Sequence, residues 1–384
     1  MTKREFSWRP LVVGLSVLVV VSLLLPLGCA RTGSRKTGSV TIGVVLPLTG
    51  EAAYIGEMVK SGMELAFEDM SEELAQREID LTVVYEDSGN QPKNAVSAYQ
   101  KLTAVDGADV VVCVSGGWKA LVPLAERDEI LLFCTVVSAS EVATQSPWVF
   151  RFFLSADEDA SLMARFAGSR LDAKRAAVLY VNDEFGASYR DVFSRTFEER
   201  GGEVVASEAF PLDASDFRTI LGKLAAAEPD VIYLLAYGNN MALVPIQMQE
   251  LGIDVQLLSL GTIGQPHIMA QAGESVVGAY YASTEFSTQA PNTPELRSFV
   301  EEYERQYGQT PVFFEVFGYD TAGLLMEAMS SGLESCSIRE GLLNIKSYPG
   351  AVGEVTFSEE GEATFPMRVY QIVSEGTIAP VDFP

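Results

Sequence analysis

Two hydrophobic patterns alternate along the chain from residue 40 onward. Short continuous apolar runs are typical of strands buried on both faces, and longer stretches with apolar residues at every third or fourth position are typical of amphipathic helices. The runs predicted as strands are 40–46, 81–85, 109–114, 130–135 and 149–153, then 176–181, 203–209, 231–236 and 255–259. Helical patterns separate them, so the sequence predicts an α/β fold with parallel strands. The strand–helix alternation occurs twice, first over 40–153 and again from about residue 158, and we call each occurrence a winding.

The predicted helices connect these strands in the sense expected of right-handed crossovers. They cover about 55–70, 92–105, 118–128 and 158–171, further segments that end near 200 or begin near 216 and 240, and then 293–307 and 312–329. Two extended segments, 353–357 and 365–373, follow near the end. The stretches 155–159 and 283–291 are predicted to be connections between the two windings.

The segment 109–142 contains the first candidate binding site. Strand 109–114 runs into Ser115, Gly116 and Gly117, and strand 130–135 runs into a second small-residue loop that contains Val136, Val137 and Ser138. Open α/β sheets bind ligands at the carboxyl ends of their strands, where helix N-termini offer N–H groups to anions. Glycine allows a close approach of the backbone. We therefore predict that these two loops form half of a ligand site.

Residues 1–28 have the pattern of a targeting segment. Lys3, Arg4 and Arg9 precede an apolar run over 11–27, and the run ends just before Gly28 and Cys29. The motif at 25–29 resembles a bacterial lipobox, which predicts that Cys29 is lipidated. The alternative is a signal anchor that is never cut. Both interpretations place the rest of the chain outside the cytoplasm, and the polar residues 29–39 are predicted to form a flexible tether.

Composition limits the classes of partner. The 384 residues contain 48% hydrophobic and 21% charged side chains, which indicates a globular protein long enough for two domains. A net charge of −25 repels nucleic acid and anionic membrane surfaces, so no nucleic acid partner is expected. Cys113 and Cys134 lie in apolar strands, and Cys336 lies elsewhere. They are interpreted as buried thiols, with a Cys113–Cys134 bridge as the alternative in an oxidising compartment.

No catalytic or metal-binding motif is recognisable. His267 is the only histidine and is predicted to lie in a loop without a serine or cysteine motif beside it. Nucleophile elbows, phosphate loops and dinucleotide-binding glycine patterns are missing from the sequence as well. We therefore predict a protein that is not an enzyme and that uses no cofactor or metal.

Several stretches carry a resemblance when their order and spacing are taken together. They are 42–50, 84–88, 178–186, 203–205, 224–230, 317–322 and 353–357. Over residues 40–384 the chain resembles the type I periplasmic-binding-protein fold. More narrowly, it resembles the leucine or branched-chain amino acid-binding family of ABC transporter substrate-binding lipoproteins.

The resemblance implies two Rossmann-like lobes joined by three crossovers, with a ligand cleft between them. The first lobe would comprise 40–153 and 285–362, and the second 154–284 and 363–384. The lobes would close on a small solute by hinge motion, and the closed monomer, anchored to the cell membrane by lipid on Cys29, would deliver the solute to an ABC permease.

The resemblance also implies roles for particular residues. Ser115 and the loop of Val136, Val137 and Ser138 match the positions that hold the ligand's α-carboxylate, although either serine alone is equally explained as a helix cap. The remaining matches are aromatic: Phe185 before a glycine, Tyr237 in a later strand-end loop, and Tyr54 and Trp118, both predicted in loops at the same edge of the first lobe. Aromatic rings there suit a flat apolar or cationic group.

One position departs from the family pattern. Members that bind amino acids place an acidic residue after the strand at 255–259 to hold the ligand's ammonium group, and here that position is Gly261. A buried ammonium without a carboxylate costs several kcal/mol. Either another acid replaces it, with Glu285, Asp183 and Glu184 as candidates, or the ligand is an amide or small carboxylate without an α-amino group. We expect leucine, isoleucine and valine not to be the best ligands.

A second function is compatible with the same fold. A tethered ligand-sensing protein, which presents its ligand to a sensor kinase or chemoreceptor, would need the same cleft. Permease and ATPase genes beside this one would favour the importer.

Overall fold

The computed structural model describes residues 38–139, 141–284, 288 and 291–383. Its first sheet is wholly parallel, with the order β2-β1-β3-β4-β5. The strands are β1 (Ser39–Leu46), β2 (Asp80–Asp87), β3 (Val110–Val114), β4 (Leu131–Thr135) and β5 (Val149–Phe152). The helices between them are α1 (Ala53–Asp69), α2 (Ser71–Gln76), α3 (Pro92–Ala104) and α4 (Trp118–Asp128), and a 3₁₀ turn covers Ala143–Gln145.

The central strands of this sheet are apolar throughout because both faces are covered. Every residue of β3 and β4 is buried. Cys113 and Cys134 are register partners in these strands, and both thiols are free and buried, so the bridge considered as an alternative is not formed. Cys336 is also a free thiol.

The next segment builds a second sheet with the same alternation. It contains α5 (Ala156–Ser169), β6 (Arg175–Val181), α6 (Glu184–Glu199), β7 (Glu203–Phe210), α7 (Arg218–Ala226), β8 (Val231–Leu235), α8 (Asn240–Glu250), β9 (Gln256–Leu260), α9 (Pro266–Ala272) and β10 (Tyr280–Thr284). Two 3₁₀ turns, Gly261–Gly264 and Gly273–Val276, flank α9. Strands β6 to β10 pair in parallel.

The chain then returns to the first sheet. Helices α10 (Pro294–Tyr307), α11 (Phe313–Ala328) and α12 (Ser335–Asn344) share an apolar core with α1 and the first sheet, and a 3₁₀ turn covers Met329–Ser331. Helices α1 and α11 approach closely, because a Cβ at Gly62 would lie 2.0 Å from the Glu315 carbonyl oxygen. A small sheet of β11 (Tyr348–Gly350), β12 (Gly353–Phe357) and β13 (Ala363–Thr364) follows.

The last strands complete the second sheet. Strands β14 (Met367–Ser374) and β15 (Thr377–Val381) add antiparallel to β10, and the order becomes β15-β14-β10-β9-β8-β6-β7. We call the first sheet with its packed helices the first lobe, and the second sheet with its packed helices the second lobe. The predicted α/β fold with two lobes is confirmed.

Arg151 lies in β5, just before the chain first crosses between the lobes. This fully buried side chain donates from Nη1 to the carbonyl oxygens of Phe153 (2.9 Å) and Leu154 (3.2 Å) and pairs with Glu362, which precedes the return of the chain to the second sheet at β14. Burial lowers the pKa of Arg151 to about 10, so the guanidinium remains charged near neutral pH. The remaining connection, between β10 and α10, contains residues 285–287, 289 and 290, which lie outside the described ranges, as does the candidate acid Glu285.

Several predictions at this level were wrong. The stretch 155–159, predicted as a connection, is the start of α5, where the Ser155 hydroxyl accepts a hydrogen bond from the Asp157 N–H at 3.2 Å. Tyr54 and Trp118 lie in the first turns of α1 and α4 rather than in loops. His267 belongs to α9. The elements not predicted are α2, α9, α12, β10, β11, β13 and β15.

The beginning of the chain contributes one boundary. Strand β1 starts at Ser39, the last residue of the predicted tether. The predicted targeting segment 1–28 and the lipidation residue Cys29 lie outside the described residues. None of the helices in the described ranges is long and apolar enough to span a bilayer.

Candidate functional site

A cleft of about 380 Å³ lies between the two lobes. It receives residues from the carboxyl ends of β3 and β4 in the first lobe and of β6, β8 and β9 in the second lobe. Nine of the ten predicted ligand residues line it: Ser115, Gly116, Trp118, Val136, Val137, Ser138, Phe185, Tyr237 and Gly261. This volume is within the range of pockets that enclose small molecules.

The loop after β3 has a constrained backbone. Ser115 adopts a left-handed conformation with φ of 65°, and the Gly116 N–H donates to Asn90 Oδ1 at 2.9 Å. A Cβ at residue 116 would lie 2.5 Å from that same oxygen, so glycine is needed here for contact with Asn90. The N-cap of α4 is Gly117, and no side chain in the described chain caps this helix. Ser115 is therefore a polar residue of the cleft and not a helix cap.

The loop after β4 repeats this geometry. Val136 directly follows the strand and adopts φ of 56°, which is rare for a β-branched residue and is found mainly where surrounding structure enforces it. Ser138 is 6% exposed, and its carbonyl oxygen accepts from the Ala156 N–H at 2.9 Å. That bond joins the loop to the first turn of α5. The next 3₁₀ turn has Val142 as its N-cap, so Ser138 caps neither helix.

The second lobe contributes an aromatic wall and an acid, Asp183, whose two carboxylate oxygens both accept hydrogen bonds. The Phe185 ring lies 4.9 Å from the Tyr189 ring and 5.7 Å from the Tyr237 ring, measured between centroids. Asp183 Oδ1 accepts from the Gly186 N–H at 2.8 Å, and its Oδ2 accepts from the Tyr237 hydroxyl at 2.6 Å. Asp183 thus caps α6 and orients Tyr237. Burial raises the pKa of Tyr237 far above its ordinary value, so its hydroxyl stays protonated.

Two contacts join the lobes beside the cleft. Lys119 Nζ at the start of α4 lies 3.0 Å from Glu184 Oε1 at the start of α6, so this candidate acid already has a cationic partner at the cleft mouth. Tyr54 does not line the cleft. Its hydroxyl instead forms a hydrogen bond with the backbone of Gly238 in the second lobe, and burial raises its pKa to about 12.

The floor near β9 carries no charge. Gly261 lines the cleft, and a Cβ there would lie 3.0 Å from Ser283 Oγ. The neighbouring Thr262 also lines the cleft, and its Oγ1 has no hydrogen-bond partner within the described chain. A neutral hydroxyl therefore lies beside the position where the resemblance implies an acid.

Asp159 was not predicted to belong to the site. It lies in the first turn of α5, lines the cleft and is 1% exposed. The Tyr189 hydroxyl donates to its Oδ2 at 3.4 Å. Burial raises the pKa of Asp159 well above its ordinary range, and the negative charge of Glu158 raises it further. The cleft therefore contains a buried carboxyl group in its second-lobe wall.

Other lining residues were missed for different reasons. Asn90 follows β2 and could have been found by the same strand-end rule that identified Ser115. Phe313 and Phe314, at the start of α11, come from the return of the chain to the first lobe, more than 150 residues after β4. Their sequence contains no strand-end signal.

The comparisons with known proteins are consistent with this architecture. A family model described as periplasmic binding protein matches residues 39–377. The chain belongs to the periplasmic binding protein family. Within it, fold and relatives identify a type I member of the branched-chain amino acid group, as the resemblance implied.

Three relatives illustrate the range of this group. The "Leu/Ile/Val-binding protein homolog 3" of Brucella melitensis is 24% identical over 92% of this chain and 96% of its own. The leucine binding protein LivK from Thermotoga maritima has a TM-score of 0.79 at 24% identity, covering 89% of this chain and 98% of its own. A solute binding protein of an ABC transporter from Rhodopseudomonas palustris, in complex with 3,4-dihydroxybenzoic acid, has a TM-score of 0.77 at 21% identity, covering 87% and 93%.

These relatives are binding proteins and not enzymes, and their family is extracytoplasmic. Among the residues described in this binding protein, no group of three or more histidine, cysteine or acidic side chains is placed to hold a metal ion.

Proposed function

We propose that this protein is the solute-binding component of an ABC importer and that its cleft holds a small carboxylate with a flat, apolar body. The observation that carries the proposal is the convergence of two strained strand-end loops, at Ser115 and at Val136–Ser138, on one interlobe cleft. Hydroxyls and backbone dipoles at helix starts hold an anion without a countercharge. The relative that binds 3,4-dihydroxybenzoic acid supports this ligand class.

The second-lobe wall supports the same ligand class. Gly261 offers no charge, Asp183 is engaged by Gly186 and Tyr237, and Glu184 is paired with Lys119. An α-ammonium group placed near Gly261 would be desolvated without a carboxylate partner. We therefore expect leucine to bind more weakly than a carboxylate without an α-ammonium group, by on the order of 2–5 kcal/mol.

A thermal-shift screen over amino acids, aromatic acids, amides and dicarboxylates, followed by calorimetry on the hits, tests this proposal. We expect aromatic or other small carboxylates to raise the melting temperature most. A nanomolar dissociation constant for leucine would show that another acid has replaced the missing one and would refute the ligand class.

Closure of the lobes is part of the proposal. We propose the lobe boundaries 40–153 with 285–362 and 154–284 with 363–384, with hinge motion at the crossings near Arg151. Small-angle scattering with a saturating hit from the screen should show a smaller radius of gyration than the protein alone. An unchanged scattering profile at saturation would contradict a hinge mechanism.

We further propose that lipid on Cys29 anchors the monomeric protein to the cell membrane, where it delivers solute to a permease. The support is the sequence pattern of residues 1–29. Wild-type protein should partition into detergent, whereas Cys29→Ala protein should be unprocessed or released. Wild-type protein recovered from the aqueous phase with residue 1 intact would contradict lipidation.

A further inference from the structure

Asp159 differs from the other acids of the cleft in its hydrogen bonding. Its Oδ2 accepts from Tyr189, but its Oδ1 has no hydrogen-bond partner within the described chain, although the side chain is 1% exposed. Both oxygens of Asp183 are engaged, and Glu184 is paired with Lys119. Buried polar atoms are normally satisfied, and an unsatisfied one that lines a ligand cleft needs an explanation.

The groups around Asp159 indicate its protonation state. Glu158 is its neighbour on α5, Tyr189 faces it from α6, Tyr233 from β8, and Arg151 lies near Tyr189. Burial is the main cause of the raised pKa, and Glu158 adds to it, while the hydrogen bond from Tyr189 opposes it. The guanidinium of Arg151 is already engaged by Glu362 and backbone carbonyls. Burial therefore favours the neutral form of this carboxyl group.

The position of the proton follows from the contacts. In the neutral form, with Oδ2 accepting the hydrogen bond from the Tyr189 hydroxyl, Oδ1 is the oxygen left to carry the proton, and it has no partner within the described chain. Neutral carboxylic acids buried in apolar sites act as hydrogen-bond donors in proteins. The Ala156–Ser138 hydrogen bond joins the same first turn of α5 to the loop proposed to hold the carboxylate.

We propose that Asp159 determines specificity by donating a hydrogen bond from Oδ1 to a second oxygen of the solute. This inference rests on the proposed carboxylate-binding function. The solute class is then a small acid that also carries a hydroxyl or carbonyl group, such as a hydroxylated aromatic acid. A ligand ammonium group at this position would require Asp159 to release its proton. A hydroxyl or carbonyl oxygen makes no such demand, because it accepts a hydrogen bond from the protonated carboxyl group.

Calorimetry with paired probes tests the inference. The probes are benzoate with 3- and 4-hydroxybenzoate, and 3-phenylpropionate with 3-phenyllactate and phenylalanine. For wild-type protein, the better hydroxylated acid of a pair should bind about tenfold more tightly than its parent, the effect of one well-made hydrogen bond. In Asp159→Ala this ratio should fall to about one.

Asp159→Asn is the matched control, because its amide keeps a donor but cannot carry negative charge. It should preserve the preference for the hydroxylated acid within about threefold. Tyr189→Phe provides a second variant that keeps the carboxyl group but removes the hydroxyl that donates to Oδ2, and it should reduce the preference for the hydroxylated acid. Circular dichroism and melting curves confirm that each variant is folded, and Asp159→Asn and Tyr189→Phe keep the inference testable if Asp159→Ala does not fold.

Three results would overturn the inference. Equal affinities of wild-type protein for parent and hydroxylated acids would remove the role of Asp159 and leave the proposed function intact. Tight binding of phenylalanine with proton release, lost equally in Asp159→Asn and Asp159→Ala, would make Asp159 the anionic partner of an ammonium group. If none of the acids binds wild-type protein, the proposed function fails as well.

Discussion

The two walls of the cleft use different chemistry. The first-lobe wall is neutral and is built from Ser115, the Val136–Ser138 loop and Trp118, with both loops in left-handed backbone conformations. The second-lobe wall carries the acids Asp159 and Asp183 and the hydroxyls of Tyr189 and Tyr237. The difference indicates separate roles for the two walls. The first-lobe wall is proposed to hold a carboxylate by fixed dipoles, and the second-lobe wall to recognise the remaining polar groups of the solute by hydrogen bonding.

The constraints on the two walls differ accordingly. In the first lobe the backbone fixes the shape of the wall, because Ser115 and Val136 occupy a strained conformation directly after buried strands. In the second lobe side-chain hydrogen bonds fix it, such as the one from Tyr237 to Asp183. Substitutions in the two walls should therefore have separable effects.

The largest effect is expected at the buried Arg151, beside the first crossing between the lobes. Arg151→Met should lower the free energy of unfolding by about 3–5 kcal/mol, because it leaves Glu362 and several backbone carbonyls without their donor. Urea denaturation would measure it. Arg195→Met, at an exposed site, serves as the control and should leave the midpoint unchanged. An Arg151→Met protein as stable as wild type would show that the contacts of Arg151 with Glu362 and the carbonyls add no net stability.

The second-largest effect is expected from a substitution that gives the second-lobe wall a fixed negative charge. Gly261→Glu should increase the affinity for leucine at least thirtyfold, about 2 kcal/mol, relative to Gly261→Ala. The alanine variant is matched, because either Cβ displaces Ser283 Oγ, 3.0 Å away, by the same small amount. Calorimetry with leucine and benzoate would show the change. Equal leucine affinities for the two variants would mean that the ammonium group binds elsewhere.

The third effect addresses the neutral wall. Ser115→Ala and Ser138→Ala should each weaken binding of a small carboxylate by about 1 kcal/mol, the net worth of a hydrogen bond, without changing the preference between parent and hydroxylated acids. Titration calorimetry would separate these quantities. Ser97→Ala, on the exposed side of α3, is the control. A changed preference between parent and hydroxylated acids in either cleft variant would contradict separate roles for the two walls.

The smallest effect concerns backbone strain. Val136→Gly should destabilise the protein about 1 kcal/mol less than Val137→Gly, because glycine adopts φ of 56° without steric cost, and should weaken binding because the loop is less constrained. Both side chains pack against hydrophobic core, but only Val136 has a left-handed backbone. Melting curves would compare the two variants. Equal destabilisation by both would show that Val136 stores no strain.

The first-lobe half of the site was predictable because it depends on local pattern. Strands β3 and β4 are continuous apolar runs, and the residues that follow them must meet at one edge of a parallel sheet. Ser115 and Ser138 could be named from that rule. The left-handed backbone at Val136 could not, since a β-branched residue gives no signal for it.

The second-lobe half was predicted less completely. Asp157, Glu158 and Asp159 form a run of three acids that is typical of a solvated helix start or a connection, and the sequence does not distinguish among them. In the structure Asp157 is exposed, whereas Asp159 is almost completely buried beside Tyr189 and the cleft. The helical turn directs these neighbours to different sides, and only the packing of α5 against α6 and β10 decides which side is buried.

The sequence by itself determined the α/β class, the two windings, the strand-end loops and the absence of an acid at Gly261, because these follow from hydrophobic period and residue identity. Only the tertiary structure decided the pairing of β14 and β15 with β10, the contact of Arg151 with Glu362 and the burial of Asp159. The physical reason is the separation along the chain over which each kind of interaction acts. Period and turn chemistry act over a few residues, whereas burial and pairing depend on surfaces supplied by segments up to about 200 residues apart.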